Sequence, residues 1–188
     1  WNIDIATKKV QPIPFSVSAH HTVTEPVRFR QEVAPHEFDV RMLRWVTVAP
    51  DGKSVVYNAL GHLWIKQLPD GAPERLTAAT QFEFHPSYSP DARWIVYSTW
   101  MDKENGSITK TPARGGKRIR LTAVKGTYAE PSFSRDGRRI VFVKQGGDNL
   151  RGNTFGTDPG IYIMNADGGP MTLVTEEGSN PMFNMKGD

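Results

Sequence analysis

The side chains that could do chemistry here are few. His20 and His21 are adjacent imidazoles. Neighbours on a strand point to opposite faces, so they make a poor chelating pair, and no HxH or HExxH spacing stands elsewhere. The chain has no Cys, which removes thiolate catalysis, disulfides and Cys-ligated zinc. No Gly-x-Ser-x-Gly elbow carries a serine nucleophile. Gly115-Gly116-Lys117 lacks the spacing of a phosphate-cradling loop and reads as a turn. Asp102, Glu104 and Asn105 before Gly106 could offer oxygens to calcium, but not at EF-hand spacing, and a solvated turn is the plainer reading. Asn105-Gly106-Ser107 fits a glycosylation sequon and, more simply, an Asn-Gly hairpin turn. These residues predict no catalytic group, no metal and no cofactor within the chain.

Charge is nearly balanced, with 23 Lys+Arg against 20 Asp+Glu and a net +3. The most basic stretch runs from Lys110 to Lys125 and includes Arg118 and Arg120, with no acid between Glu104 and Glu130. It could dock an anionic partner, or it could be an outer strand whose charges block edge-to-edge pairing. No aromatic stacking motif accompanies it, so nucleic acid is not expected. No apolar run approaches the roughly 18 residues of a spanning helix. Five Trp, five Tyr and nine Phe are enough to build a core.

What positions these residues is a repeat. Val46-Thr47-Val48-Ala49-Pro50-Asp51-Gly52 matches Pro86-Ser87-Tyr88-Ser89-Pro90-Asp91-Ala92 and Pro131-Ser132-Phe133-Ser134-Arg135-Asp136-Gly137. A decayed copy begins at Pro181, so the starts lie 40, 45 and 50 residues apart. After each Asp comes a β-rich run, at Lys53 to Tyr57, Arg93 to Tyr97 and Arg138 to Phe142. A strand then starts at Gly61, Gly106 and Gly160, a second turn follows, and a short strand closes on Leu76-Thr77, Leu121-Thr122 or Leu173-Val174-Thr175. Pro presets φ, Asp bonds the local backbone, and Gly supplies the positive φ that closes the turn. Asp51, Asp91 and Asp136 recur once per unit, which predicts turn hydrogen bonds and not catalysis. The period and the strand count per unit predict an all-β chain of four-stranded antiparallel propeller blades.

At these residues the chain resembles the TolB-like, or PD40 (WD40-like), β-propeller repeat family. The third copy carries the likeness best, through Pro131, Phe133, Ser134, Asp136, Gly137, Arg138, Ile140 and Phe142, then Ile161-Tyr162-Ile163-Met164 and Asp167-Gly168-Gly169. Val46, Ala49, Ala92 and Arg135 depart from the pattern. The resemblance implies a non-catalytic interaction or scaffold module, a protein or peptide partner, and a periplasmic or secreted location. The alternative is the propeller portion of a larger amidohydrolase or prolyl-oligopeptidase-like hydrolase, because the long link before Arg44-Trp45 is similar to propellers fused to bacterial amidohydrolases.

The expected organisation is two strands of a preceding blade over 1–15 and an inserted hairpin or linker over 16–43. Blades follow over 44–80, 81–126 and 127–177, with the first strand of a further blade over 178–188. Such a propeller fragment, with three full blades and partial blades at both ends, would expose open edges and is expected to cover them with a second copy. First strands line a propeller channel, so Glu83, His85 and Glu130 are the expected contact residues, with Arg118 and Arg120 on the outer strand.

Overall fold

The computed structural model describes residues 1–25, 33–147, 152 and 156–184. All regular elements among them are strands. The chain divides into two compact units, Trp1–Phe38 and Asp39–Asp188.

The first unit holds one short antiparallel hairpin, β1 (Asn2–Ile3) against β2 (Val10–Gln11). Asp4 organises its turn. The Asp4 carboxylate accepts the Thr7 N–H at 2.6 Å and the Thr7 hydroxyl at 2.7 Å, and these bonds hold its pKa below the usual carboxylate value. Two strands of this length bury no core, and Ile5 and Phe15 are 92% and 86% exposed. The expected hairpin over 16–43 falls partly on residues 26–32, outside the described set, and its described parts carry no strand.

The second unit is built of three four-stranded antiparallel sheets, each laid out in chain order. The first holds β3 (Arg44–Val48), β4 (Ser54–Ala59), β5 (His62–Gln67) and β6 (Pro73–Arg75). The second holds β7 (Phe82–Tyr88), β8 (Trp94–Trp100), β9 (Ser107–Pro112) and β10 (Ile119–Arg120). The third holds β11 (Thr127–Phe133), β12 (Arg139–Gln145), β13 (Gly160–Asn165) and β14 (Thr172–Thr175). These are the blades expected from the repeat.

The repeated turns close the first hairpin of each blade by one mechanism. Ser89 Oγ donates to Asp91 Oδ1 at 2.6 Å and accepts the Trp94 N–H at 2.9 Å, while the Arg93 N–H also reaches Asp91 Oδ1 at 3.1 Å. Ser134, Asp136, Arg138 and Arg139 repeat the arrangement. In the first blade Ala49 has no hydroxyl, and only the Lys53 N–H to Asp51 bond remains, at 3.0 Å. The Ser89 hydrogen bond, then those from Arg93, pull the Asp91 carboxyl down to about 2. Because the folded pKa lies below the unfolded value, this turn stabilises the fold above about pH 4 and stops doing so as the pH falls toward 2. Thermal melts between pH 5 and about 2 should therefore show a shallower acid limb for Ser89→Ala than for the parent chain.

A left-handed residue ends each of these turns: Gly52 at φ 70°, Ala92 at φ 57° and Gly137 at φ 71°. Alanine is strained there by its Cβ, whereas glycine is not. Ala92→Gly should raise stability by about 0.5–1 kcal/mol in urea unfolding, even though glycine gains freedom in the unfolded chain.

The core lies between blades. One cluster joins Val56, Leu63, Ile65 and Leu76 of the first blade to Tyr88, Ile95 and Tyr97 of the second. The other joins Val96, Ile108 and Leu121 of the second to Tyr128, Ile140, Phe142, Tyr162 and Met164 of the third. Strand alternation explains the division, since Ile95 and Tyr97 leave one face of β8 and Val96 leaves the other. One charged residue joins the second interface. Lys110, whose side chain is 7% exposed, stands where β5 has Ile65; it reaches Asp167 Oδ1 at 2.8 Å and lies 4.8 Å from the Trp94 ring centroid.

Pairing corrects one detail of the repeat alignment. Tyr57 opposes Trp64, Tyr97 opposes Thr109, and Phe142 opposes Tyr162. Trp64, Thr109 and Tyr162 are therefore equivalent, which places β13 one residue out of step with an alignment on Gly61, Gly106 and Gly160. A one-residue slip exchanges the two faces of a strand. Tyr162 and Met164 thus face the second blade, while Ile161 and Ile163 occupy the other side and stay half-buried.

Candidate functional site

The first strand of every blade is interrupted at the same place. Register shifts fall between Arg44 and Thr47, between Phe84 and Ser87, and between Ala129 and Ser132. Each is a β-bulge, with an extra residue on the first strand opposite one fewer on its neighbour. Pro86 and Pro131 sit in two of the bulges. Having no N–H, proline cannot complete a ladder there. The residue ahead takes a left-handed backbone: Trp45 at φ 49°, His85 at φ 51° and Glu130 at φ 53°. Asn180, ahead of Pro181, adopts φ 50°. For residues with a Cβ this conformation costs about 1–2 kcal/mol each. Such strain persists where the surroundings enforce it, and it clusters at functional sites.

These four residues and those that follow them line one cavity of about 330 Å³. Trp45 and His85 stack at a tilt of 48° with centroids 4.3 Å apart, and Phe84 meets the Trp45 indole edge-on at 5.8 Å. Thr47 Oγ1 donates to the Pro86 carbonyl at 3.1 Å, tying the first strands of two blades together beside the cavity. His85 Nδ1 lies 3.1 Å from Ser98 Oγ. Burial lowers the imidazole pKa below its usual 6.5, and the Glu130 carboxylate opposes that only in part. The ring is thus neutral near pH 7. Glu130 Oε2 accepts the Asn180 N–H at 2.5 Å.

The expected contact residues separate into three places. His85 and Glu130 come together at the cavity. Glu83 does not join them: it is 0% exposed, committed between the first and second blades. Its Oε1 accepts the Thr77 hydroxyl, its Oε2 accepts the Leu63 N–H at 3.0 Å, and His62 Nδ1 lies 3.9 Å away. The bulge is the reason, since a left-handed residue at 85 breaks the alternation that would otherwise put residues 83 and 85 on one face. Arg118 and Arg120 lie at the outer edge of the second blade. Arg118 Nη1 donates to Gln81 Oε1 at 3.0 Å, and Arg120 Nε donates to the Thr122 carbonyl at 2.9 Å. Trp45 and Asn180, which share the repeat phase of His85 and Glu130, line the same cavity and were not among the residues expected from the sequence. Among the described residues, no group of three His, Cys, Asp or Glu is arranged to hold a metal ion.

No family model matches the chain. A stretch of 80 residues, 43% of the chain, is 40% identical to the Tol-Pal system protein TolB of Francisella tularensis subsp. mediasiatica (strain FSC147). The matched stretch spans 17% of that relative's length. Among solved structures, TolB from Acinetobacter baumannii superposes with a TM-score of 0.59 at 22% identity, over 73% of this chain and 33% of that one. A chain of the nidogen/laminin complex superposes with a TM-score of 0.57 at 11% identity, over 71% of this chain and 48% of that one, which is a likeness of fold alone. Joined to the three blades and their Asp turns, the 80-residue likeness makes this chain similar to the TolB-like β-propellers.

Proposed function

We propose that the chain is a protein-interaction module that takes an extended segment of a partner protein at the cavity ringed by Trp45, His85, Glu130 and Asn180. One observation carries this reading. At the three first strands, and at Asn180 in the same repeat phase, the backbone is held in a strained left-handed conformation, and all four residues line the same cavity. Trp45 offers an aromatic face there, and Glu130 and His85 offer polar groups. Aromatic anchors with a few fixed polar groups are what peptide recognition uses. The relatives' name, Tol-Pal system protein TolB, places them in a multi-protein system. A protein partner for this chain, and a periplasmic setting, follow from that likeness as part of the proposal. On this reading the chain does no catalysis of its own.

Peptide display against the whole chain tests it. Selected segments should lose at least about tenfold in affinity on Trp45→Ala or His85→Ala and keep it on Arg118→Glu with Arg120→Glu. Segments that ignore the cavity substitutions and depend on the outer arginines would contradict the proposal. So would amide or ester hydrolysis abolished by a substitution within the chain.

A further inference from the structure

The charges around the cavity narrow what it can accept. Glu130 is the one acid among its lining residues; His85 is the other titratable group, and no Lys or Arg lines it. Glu130 also borders a second cavity of about 310 Å³, which Glu176 and Lys144 line as well. Lys144 is buried, with its ammonium 5.9 Å from the Tyr162 ring centroid. With His85 neutral, the two cavities together keep one surplus negative charge. The apolar walls are Trp45, Val46, Pro86, Pro131, Pro181 and Met182, which suit the stem of a long side chain better than a compact anion.

Resting on the proposed function above, we propose that the cavity selects a basic side chain of the bound segment, arginine above all, with its guanidinium on the Glu130 carboxylate and its plane against the Trp45 indole. Carboxylate and indole both bind guanidinium well, one through charge-assisted hydrogen bonds and the other through its π face. Oε2 already holds the Asn180 N–H at 2.5 Å, which fixes the carboxylate before a ligand arrives. Preorganisation of this kind strengthens binding without adding contacts.

The test is an NMR titration of the whole chain with N-acetyl-arginine methylamide, and in parallel with N-acetyl-citrulline methylamide, its neutral isostere. The arginine probe should give saturable shifts at the Trp45 indole and the Asn180 amide, with the citrulline probe at least about tenfold weaker. Glu130→Gln keeps an oxygen that can accept the Asn180 N–H, so the fold survives while the charge goes, and arginine affinity should drop to the citrulline level. Equal binding of the two probes, no effect of Glu130→Gln, or an arginine probe that causes no shifts at these residues overturns the inference. Its failure is distinct from that of the proposed function. Display-selected segments that need Trp45 and His85 but carry no basic residue would refute the charge preference and leave the cavity as the binding site. Segments that ignore both residues would refute the cavity as the binding site.

Discussion

Glu83→Ala should cost about 2–4 kcal/mol of folding stability, read as a shift in the urea midpoint followed by Trp fluorescence. The carboxylate is 0% exposed and accepts two hydrogen bonds from donors buried with it, the Leu63 N–H and the Thr77 hydroxyl. Each donor left unpaired in a dry interface costs about 1–3 kcal/mol. The next interface explains why the loss is not larger still. There Tyr128 takes the position of Glu83, and the Thr122 hydroxyl itself accepts the Ile108 N–H at 3.0 Å. Thr77 can rotate to serve Leu63 in the same manner, so one of the two donors regains a partner. Glu83→Gln should cost about 1–3 kcal/mol, because its amide oxygen can accept only part of what the carboxylate does. A midpoint unchanged by Glu83→Ala would mean that Glu83 is not the buried inter-blade acceptor described here.

Phe142→Ala should be at least as damaging, at about 3–5 kcal/mol. Phe142 is fully buried between the second and third blades, edge-on to Tyr128 at 5.7 Å and stacked on Tyr162 at 6.2 Å. Truncation removes the transfer energy of the ring, opens a cavity and dissolves both aromatic pairs. The same interface keeps the Tyr128 hydroxyl from ionising, with burial pushing its pKa up to about 12. Val174→Ala, on a side chain 61% exposed, is the control and should stay within about 0.5 kcal/mol. If Phe142→Ala cost no more than this control, the blades would not be held together by the cluster assigned to them.

The parts of this architecture that were legible in the sequence are the local ones. A Ser-x-Asp turn closed by Ala92 or Gly137 is made by four consecutive residues, so Asp91 and Asp136 announce their hydrogen bonds without reference to the rest of the fold. The runs of β-branched and aromatic residues that follow are enough to locate β4, β8 and β12. The face of β13 was not legible. Ile161-Tyr162-Ile163-Met164 is apolar throughout, so alternation gives no signal, and the longer loop before Gly160 moved the apparent register by one. The site was partly legible for a related reason. His85 and Glu130 sit ahead of prolines in phase, and the structure brings them together. Glu83 shares their parity but not their face, because the bulge at His85 and Pro86 breaks the two-residue period. Trp45 escaped notice because valine, not proline, follows it, yet its backbone takes the same left-handed turn.

On the proposed function, binding is carried by the bulged first strands at the cavity and not by the charged outer edge. Amide hydrogen exchange of the whole chain, with and without a display-selected peptide, tests this most directly. Added protection is expected at 45–47, 85–87 and 130–132, with residues 118–120 unchanged. Protection confined to 118–120, with the three bulges exchanging as in the free chain, would contradict it.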